Sequence, residues 1–164
     1  YASNWPIDHD DGSARFHDTS NFLVYGGSKY FLGFEKKLSE NIYVFADARQ
    51  MWSRCVLAVG VQAGLSGWGE TFVNNTCIYR HSTQLYQFDQ SCDVRALKDR
   101  VPLLRSNTFF TPAARSLIRC GRDNFTLAQW QQTPTRPDQH STIHDSSALS
   151  LHSIVEMGKR LLQM

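Results

Sequence analysis

Asn21-Phe22-Leu23-Val24-Tyr25, Asn41-Ile42-Tyr43-Val44-Phe45, Asn75-Thr76-Cys77-Ile78-Tyr79 and Asn107-Thr108-Phe109-Phe110 are four versions of one short phrase. Each opens on asparagine and runs into β-branched and aromatic residues, the types that fit a pleated, half-buried strand. The leading asparagines stand 20, 34 and 32 residues apart. Between them lies a second set of runs: Ile7-Asp8-His9-Asp10, Lys29-Tyr30-Phe31-Leu32, Val56-Leu57-Ala58-Val59, Leu85-Tyr86-Gln87-Phe88 and Leu117-Ile118-Arg119-Cys120. The two sets alternate strictly. Units recurring at this spacing point to stacked repeats, here with two short strands and no helix in each. The expected fold is all-β, a right-handed parallel β-helix of about five coils. An antiparallel sandwich would want more two-residue hairpin turns, and only Asp11-Gly12 offers one. Asparagine at one point of every coil suits a solenoid, since it tolerates a left-handed bend and can bond to the same amide one coil away.

The end of the chain has another character. Thr126 to Trp130 fits one capped helical turn, and Gln131 to Ser147 is polar and carries prolines. Leu151, Ile154, Val155, Leu161 and Leu162 then share one face at helical spacing, with Lys159 and Arg160 near the helix end. The expected division is 1–147 for the coils and 148–164 for an amphipathic helix that caps the open C-terminal end of the stack. No such cap is evident at the start, where Trp5 to Asp11 already looks like strand. The chain is therefore expected to be the C-terminal portion of a longer β-helix.

The 164 residues are 20% charged and 12% aromatic, too apolar and too aromatic for a disordered chain. The net charge of +2 is too small to draw a nucleic acid. Mean hydropathy is −0.38, and no apolar run is long enough for a membrane span. The four cysteines form no CxxC pair, which argues against a zinc ribbon. Together with sequons at Asn74 and Asn124 they favour an oxidising, extracellular setting over four reduced thiols.

Chemistry concentrates in Asp8-His9-Asp10-Asp11-Gly12-Ser13. On a strand Asp8 and Asp10 project from one face, and Ile7 and His9 from the other. Two acids on one face can hold a hard cation through oxygen, with calcium the candidate. They can equally share a proton, so that one serves as an acid. A solvated acidic turn is the plainer alternative. If the alternating strands stack, Lys29 lies one coil from this cluster, and Lys29 or Glu35 reaches it.

These segments carry a family resemblance. Asp8 to Ser13, Asn21-Phe22-Leu23-Val24-Tyr25-Gly26-Gly27-Ser28-Lys29 and Asn41-Ile42-Tyr43-Val44 resemble right-handed parallel β-helix proteins of the pectate-lyase-like superfamily. The likeness is to those with a D-x-D-D-G-S strand followed by a G-G-x-K corner, and it extends from about Trp5 to the end. It implies an extracellular or surface protein acting on polysaccharide, related to xylosidase-type glycoside hydrolases. Asp10, Asp11 and Lys29 fall on the family's prominent polar positions. Leu32 stands where relatives carry an acid before the glycine, and Glu35 follows that glycine instead. The catalytic candidates are therefore Asp10, Asp11, Lys29 and Glu35, since a glycosidase needs two carboxyl groups, roughly 5 Å apart if retaining and 6.5–9.5 Å if inverting. A polysaccharide lyase, using Lys29, His9 or an arginine as base, is one alternative. A non-catalytic carbohydrate-binding or surface-structural β-helix is the other.

Continuing the stacking adds Tyr86, Gln87 and Asp89 from one coil and Arg119 from another. With His9 they form the expected substrate-binding strip. Trp52 and Trp68 either flank that groove or cover core. The same ladder pairs Cys92 with Cys120, leaving Cys55 with Cys77. The chain is expected to act as a monomer.

Overall fold

The computed structural model describes residues 6–9, 12–31, 33–47, 54–59, 69–88, 102–133 and 138–163. Its strands are short and fall into three sheets, with labels numbered in chain order. The first sheet holds β1 (Ile7–His9), β4 (Ser28–Phe31), β7 (Val56–Val59), β10 (Gln84–Phe88) and β13 (Leu117–Cys120), all parallel. The second holds β2 (His17–Thr19), β5 (Lys37–Ser39), β8 (Thr71–Val73), β11 (Leu103–Arg105) and β15 (Asp138–Gln139). The third holds β3 (Phe22–Val24), β6 (Ile42–Val44), β9 (Thr76–Ile78), β12 (Thr108–Thr111) and β16 (Thr142–Asp145). Each successive triplet of strands thus adds one strand to every sheet. The repeat has three strands, not the two expected, and the strands of the second sheet are the ones the alternation left out.

Inward residues stack in three columns. Ile7, Ser28, Val56, Tyr86 and Ile118 align across the first sheet. Leu38, Phe72 and Leu104 align across the second, with Asp18 and Asp138 at its two ends. Leu23, Tyr43, Cys77, Phe109 and Ile143 align across the third. The columns meet in one apolar core, in which Tyr43, Phe72, Tyr86 and Phe109 pack ring on ring. Tyrosine is tolerated there because its hydroxyl finds a partner. Tyr43 accepts from Ser28 Oγ at 2.7 Å, and Tyr79 accepts from Cys55 N at 2.8 Å. The Cys55–Cys77 disulfide ties the first sheet's approach to the third sheet inside this core.

The leading asparagines form a ladder between the second and third sheets. Asn41 Oδ1 accepts from Asn21 N at 3.0 Å and from Asn21 Nδ2 at 2.9 Å. Asn75 Oδ1 accepts likewise from Asn41 N and Nδ2, both at 3.0 Å. Asn107 Oδ1 accepts from Asn75 N at 2.9 Å, and Ser141 Oγ ends the series by accepting from Asn107 N at 2.7 Å. The left-handed bend falls not on these asparagines but on the residue before each: Ser20, Glu40, Asn74, Ser106 and His140, with φ of 56°, 59°, 56°, 55° and 66°. The asparagine amide satisfies the backbone that such a corner would otherwise leave unbonded.

The C-terminal end of the core is closed differently from expectation. β14 (Asp123–Phe125) folds back antiparallel on β13, and α1 (Leu127–Gln131) follows it. Thr126 and Gln129 form a reciprocal capping box that starts α1. Leu127 and Trp130 then enter the core, Trp130 stacking on Phe88 with centroids 5.8 Å apart. The amphipathic helix α2 (Leu151–Leu161) does not cap this end. It lies on the outer face of the third sheet, where Ile154 joins Ile42, Val44 and Ile78, with Phe22 and Phe110 alongside. That sheet offers an apolar outer face as well as an apolar inner one, and Ile154, Met157 and Leu161 pack on it, while Leu151, Val155 and Leu162 of the expected stripe stay exposed. Gly158 permits the close approach: a Cβ at that position would stand 2.7 Å from the Phe22 ring.

Candidate functional site

The strands of the first sheet stack in sequence order, with a register at β1 and β4 one residue away from that expected, so that Lys29 lies beside Asp8 and not Ile7. Asp8 pairs with Lys29 across β1 and β4, and Gln87 pairs with Arg119 across β10 and β13, with position 57 between the two pairs. Asp8, next to the inward Ile7, must point outward by strand alternation, and the same applies to Lys29, Gln87 and Arg119. Lys29 Nζ sits 3.0 Å from Asp8 Oδ1, the carboxylate more open to solvent than the ammonium. The Gln87 carbonyl accepts from Arg54 and, at 3.2 Å, from Gln84 Nε2. Arg119 is exposed and donates to Gly121 O at 3.3 Å. The outer face of the first sheet is therefore a polar strip whose charges are Lys29, Arg54 and Arg119 against Asp8.

Two expected members of the strip lie elsewhere. Tyr86 faces inward and is fully buried, in the column with Val56 and Ile118, so an outside ligand does not reach its ring. Burial raises its hydroxyl well above the usual tyrosine range. His9 also points inward and is buried. Its Nε2 is 2.5 Å from Asp18 Oδ2 and its ring stacks on Phe16 at 4.6 Å. Its work is to close the first corner between the first and second sheets.

Glu35 stands at the corner between β4 and β5 with φ of 54°. It binds Arg15 Nε at 3.3 Å, on the equivalent corner one triplet earlier, while Asp8 binds Lys29. The two acids thus belong to separate ion pairs. Asp10, Asp11, Asp89, Trp52 and Trp68 lie outside the described residues, and so does Cys92. Cys120 is disulfide-bonded. Among the described residues no group of three His, Cys, Asp or Glu is placed to hold a metal ion. Asp8, one of the two expected cation ligands, holds Lys29 instead. Both sequon asparagines are exposed, Asn124 directly opposite Arg119 in the β13–β14 pair.

Three further polar groups escaped the sequence reading. Lys36 and Glu70 form an ion pair at 3.1 Å with both side chains out of solvent, and burial raises the Glu70 carboxyl to about 7 against the pull of Lys36. Asp138 ends the second sheet's inward column, bonded by Ser141, and burial raises it to about 6. The Asp47 carboxylate accepts from three successive amides, Arg80 N at 2.9 Å, His81 N at 2.5 Å and Ser82 N at 2.7 Å. The partners of Lys36 and of Asp47 are 33 or more residues away in sequence, so no local pattern announces them, whereas Ser141 is only three residues from Asp138. Among the described residues no helix is long and apolar enough to cross a membrane. No family model, no curated protein and no solved structure matches this chain.

Proposed function

We propose that this chain is a right-handed parallel β-helix of the pectate-lyase-like kind and that it holds extracellular polysaccharide along the outer face of its first sheet. The fold reading rests on strict rotation of parallel strands through three sheets. Crossovers between parallel strands of one sheet are right-handed in about 98% of cases, which supplies the hand. A buried disulfide suits an oxidising compartment.

The observation that carries the functional reading is the in-register outward series Asp8, Lys29, Gln87 and Arg119. The row is two polar pairs, each with neighbours about 4.8 Å apart, separated by the strand that carries Leu57, and an extended sugar chain lying across the strands can meet both pairs. Binding rather than cleavage is favoured because Asp8 is held by Lys29 and Glu35 by Arg15, which leaves no pair of carboxyl groups flanking a shared space among the described residues. Affinity electrophoresis of the intact chain in gels of neutral and acidic polysaccharides tests it. Retardation by at least one polymer, lost in Arg119→Ala and Lys29→Ala, is expected. Release of reducing ends that disappears in Asp10→Ala would replace binding with hydrolysis, and no retardation in any gel would remove the reading.

A further inference from the structure

A cleft of about 500 Å³, sharing no lining residue with the polar strip, lies between the end of β9, the corner after β12 and the start of α2. That volume is within the range of small-molecule sites, about 300–1,000 Å³. Its floor is apolar, made by Ile78, Leu149 and Ile154. Arg80 and His81 stand on its rim.

Arg80 is held as a fixed cation. Its guanidinium carbon lies 3.9 Å from the centroid of the Phe45 ring. Stacking on a ring occupies one face of the guanidinium and leaves its N–H edge to bond in plane. The backbone beneath it is equally fixed, since the amides of Arg80, His81 and Ser82 all donate to Asp47. No carboxylate pairs with Arg80 among the described residues. The nearest acid of the cleft wall, Asp145, spends Oδ1 on Ala113 N at 3.2 Å and Ser147 N at 3.0 Å.

The wall that Asp145 secures is strained. Ala113 and Ala114 follow one another at φ of 52° and 50°, a conformation that L-residues with a Cβ avoid. The same φ recurs at the other corners of the fold, and here the bonds from Ala113 N and Ser147 N to Asp145 fix the turn as a rigid wall. A rigid wall, an apolar floor and a pre-oriented guanidinium at the mouth are complementary to one chemical class. We infer that this cleft binds a small organic carboxylate with an apolar body, the carboxylate bidentate on Arg80 and the body against Ile78, Leu149 and Ile154. The site shares no residue with the polysaccharide strip, so either reading can fail without the other.

Isothermal titration of the intact chain with phenylacetate and 1-naphthoate, and with phenylacetamide as the uncharged counterpart, tests the inference. Saturable carboxylate binding is expected, weakened about tenfold or more in Arg80→Gln and in the amide, because the charge-assisted bidentate contact is lost. Arg80 is exposed, so an unchanged melting curve shows that this variant remains folded. Ser147→Trp, at an exposed rim position, fills the cleft without touching Arg80 and is expected to abolish binding. No saturable binding up to about 10 mM, equal binding of the amide, or binding that survives either variant would overturn the site.

Discussion

Replacing Asn75 by alanine should be among the most damaging single changes at a polar position of this protein. The Asn75 side chain accepts two bonds from Asn41, through N and Nδ2, each at 3.0 Å. It also donates to Leu38 O and Val73 O at 3.0 Å. Val73 O keeps a second donor, Glu40 N, and Asn107 Oδ1 keeps the Asn75 amide, so these two acceptors survive the change. The Asn41 N–H and one Asn41 amide hydrogen lose Asn75 Oδ1 in a buried region, where Asn41 Nδ2 keeps only its bond to Asp18 O. An orphaned buried donor costs about 1–3 kcal/mol, so the two together predict a loss of roughly 2–6 kcal/mol. That is a large part of a typical stability of about 5–15 kcal/mol. Asn21→Ala is the control. Asn41 Oδ1 keeps the Asn21 backbone amide, and the lost Nδ2 bond is only half-buried, so about 0.5–1 kcal/mol is expected. Urea unfolding followed by circular dichroism measures both. Equal costs for the two variants, or a loss under about 1 kcal/mol for Asn75→Ala, would refute the view that the ladder matters through the donors it satisfies.

Other perturbations have definite signs. Asp138 is raised from 3.8 to about 6, so between those values the unfolded chain gives up a proton that the folded chain keeps, and stability falls as pH rises through that window. About two units correspond to on the order of 3 kcal/mol. Asp138→Asn should remove that slope in urea titrations from pH 4 to 7 and leave only the similar fall due to Glu70; an unchanged profile would contradict the assignment. The Cys55–Cys77 bond spans 22 residues of sequence, and its loss in the double alanine variant should cost roughly 3 kcal/mol by loop entropy. A midpoint shift worth less than about 1 kcal/mol would show that the unfolded chain is constrained in some other way. Trp130→Ala should cost about 3–5 kcal/mol and expose the core end to the dye ANS, because Trp130 packs on both Phe88 and Phe125. Unchanged dye binding would mean that α1 does not close that end.

The sequence disclosed the first and third sheets and hid the second, and the reason is local. Strands of the third sheet are apolar on both faces, because α2 covers the outer one, so Ile42-Tyr43-Val44 announces itself. A strand such as Lys37-Leu38-Ser39 turns one residue inward and leaves two outside, and three residues are too few to establish an alternation. His17-Asp18-Thr19 turns a carboxylate inward and has no apolar residue at all. The adjacency of the Asp8 and Lys29 strands was legible because both lie in runs with clear strand composition, but the register was not, since β4 begins at Ser28, one residue before the run starting at Lys29. The inward turn of His9 followed from alternation, yet its partner Asp18 belongs to the unseen sheet. Tyr86 and Gln87 are neighbours on one strand, so alternation admits only one of them to the outer strip, and the buried column of Val56 and Ile118 takes Tyr86. The role of α2 was misjudged because an amphipathic stripe declares that it needs an apolar partner without declaring which one.

The ladder also bears on how such a chain can change its length. Ser20 and Glu40 share one backbone conformation, and the asparagines after them bond forward in the same way. Excising 21–40 would therefore set Ser20 before Asn41 in the geometry that Glu40 now provides, with Asn75 still ready to accept. A whole triplet is an interchangeable cassette at these joints, open to duplication, deletion or exchange by recombination, whereas a cut that does not run from one such corner to the equivalent corner would break the hydrogen-bonded frame. Variation in the number of triplets is thus the natural axis of divergence for this architecture, and variation in the spacing between asparagines, already 20 against 34, its natural tolerance.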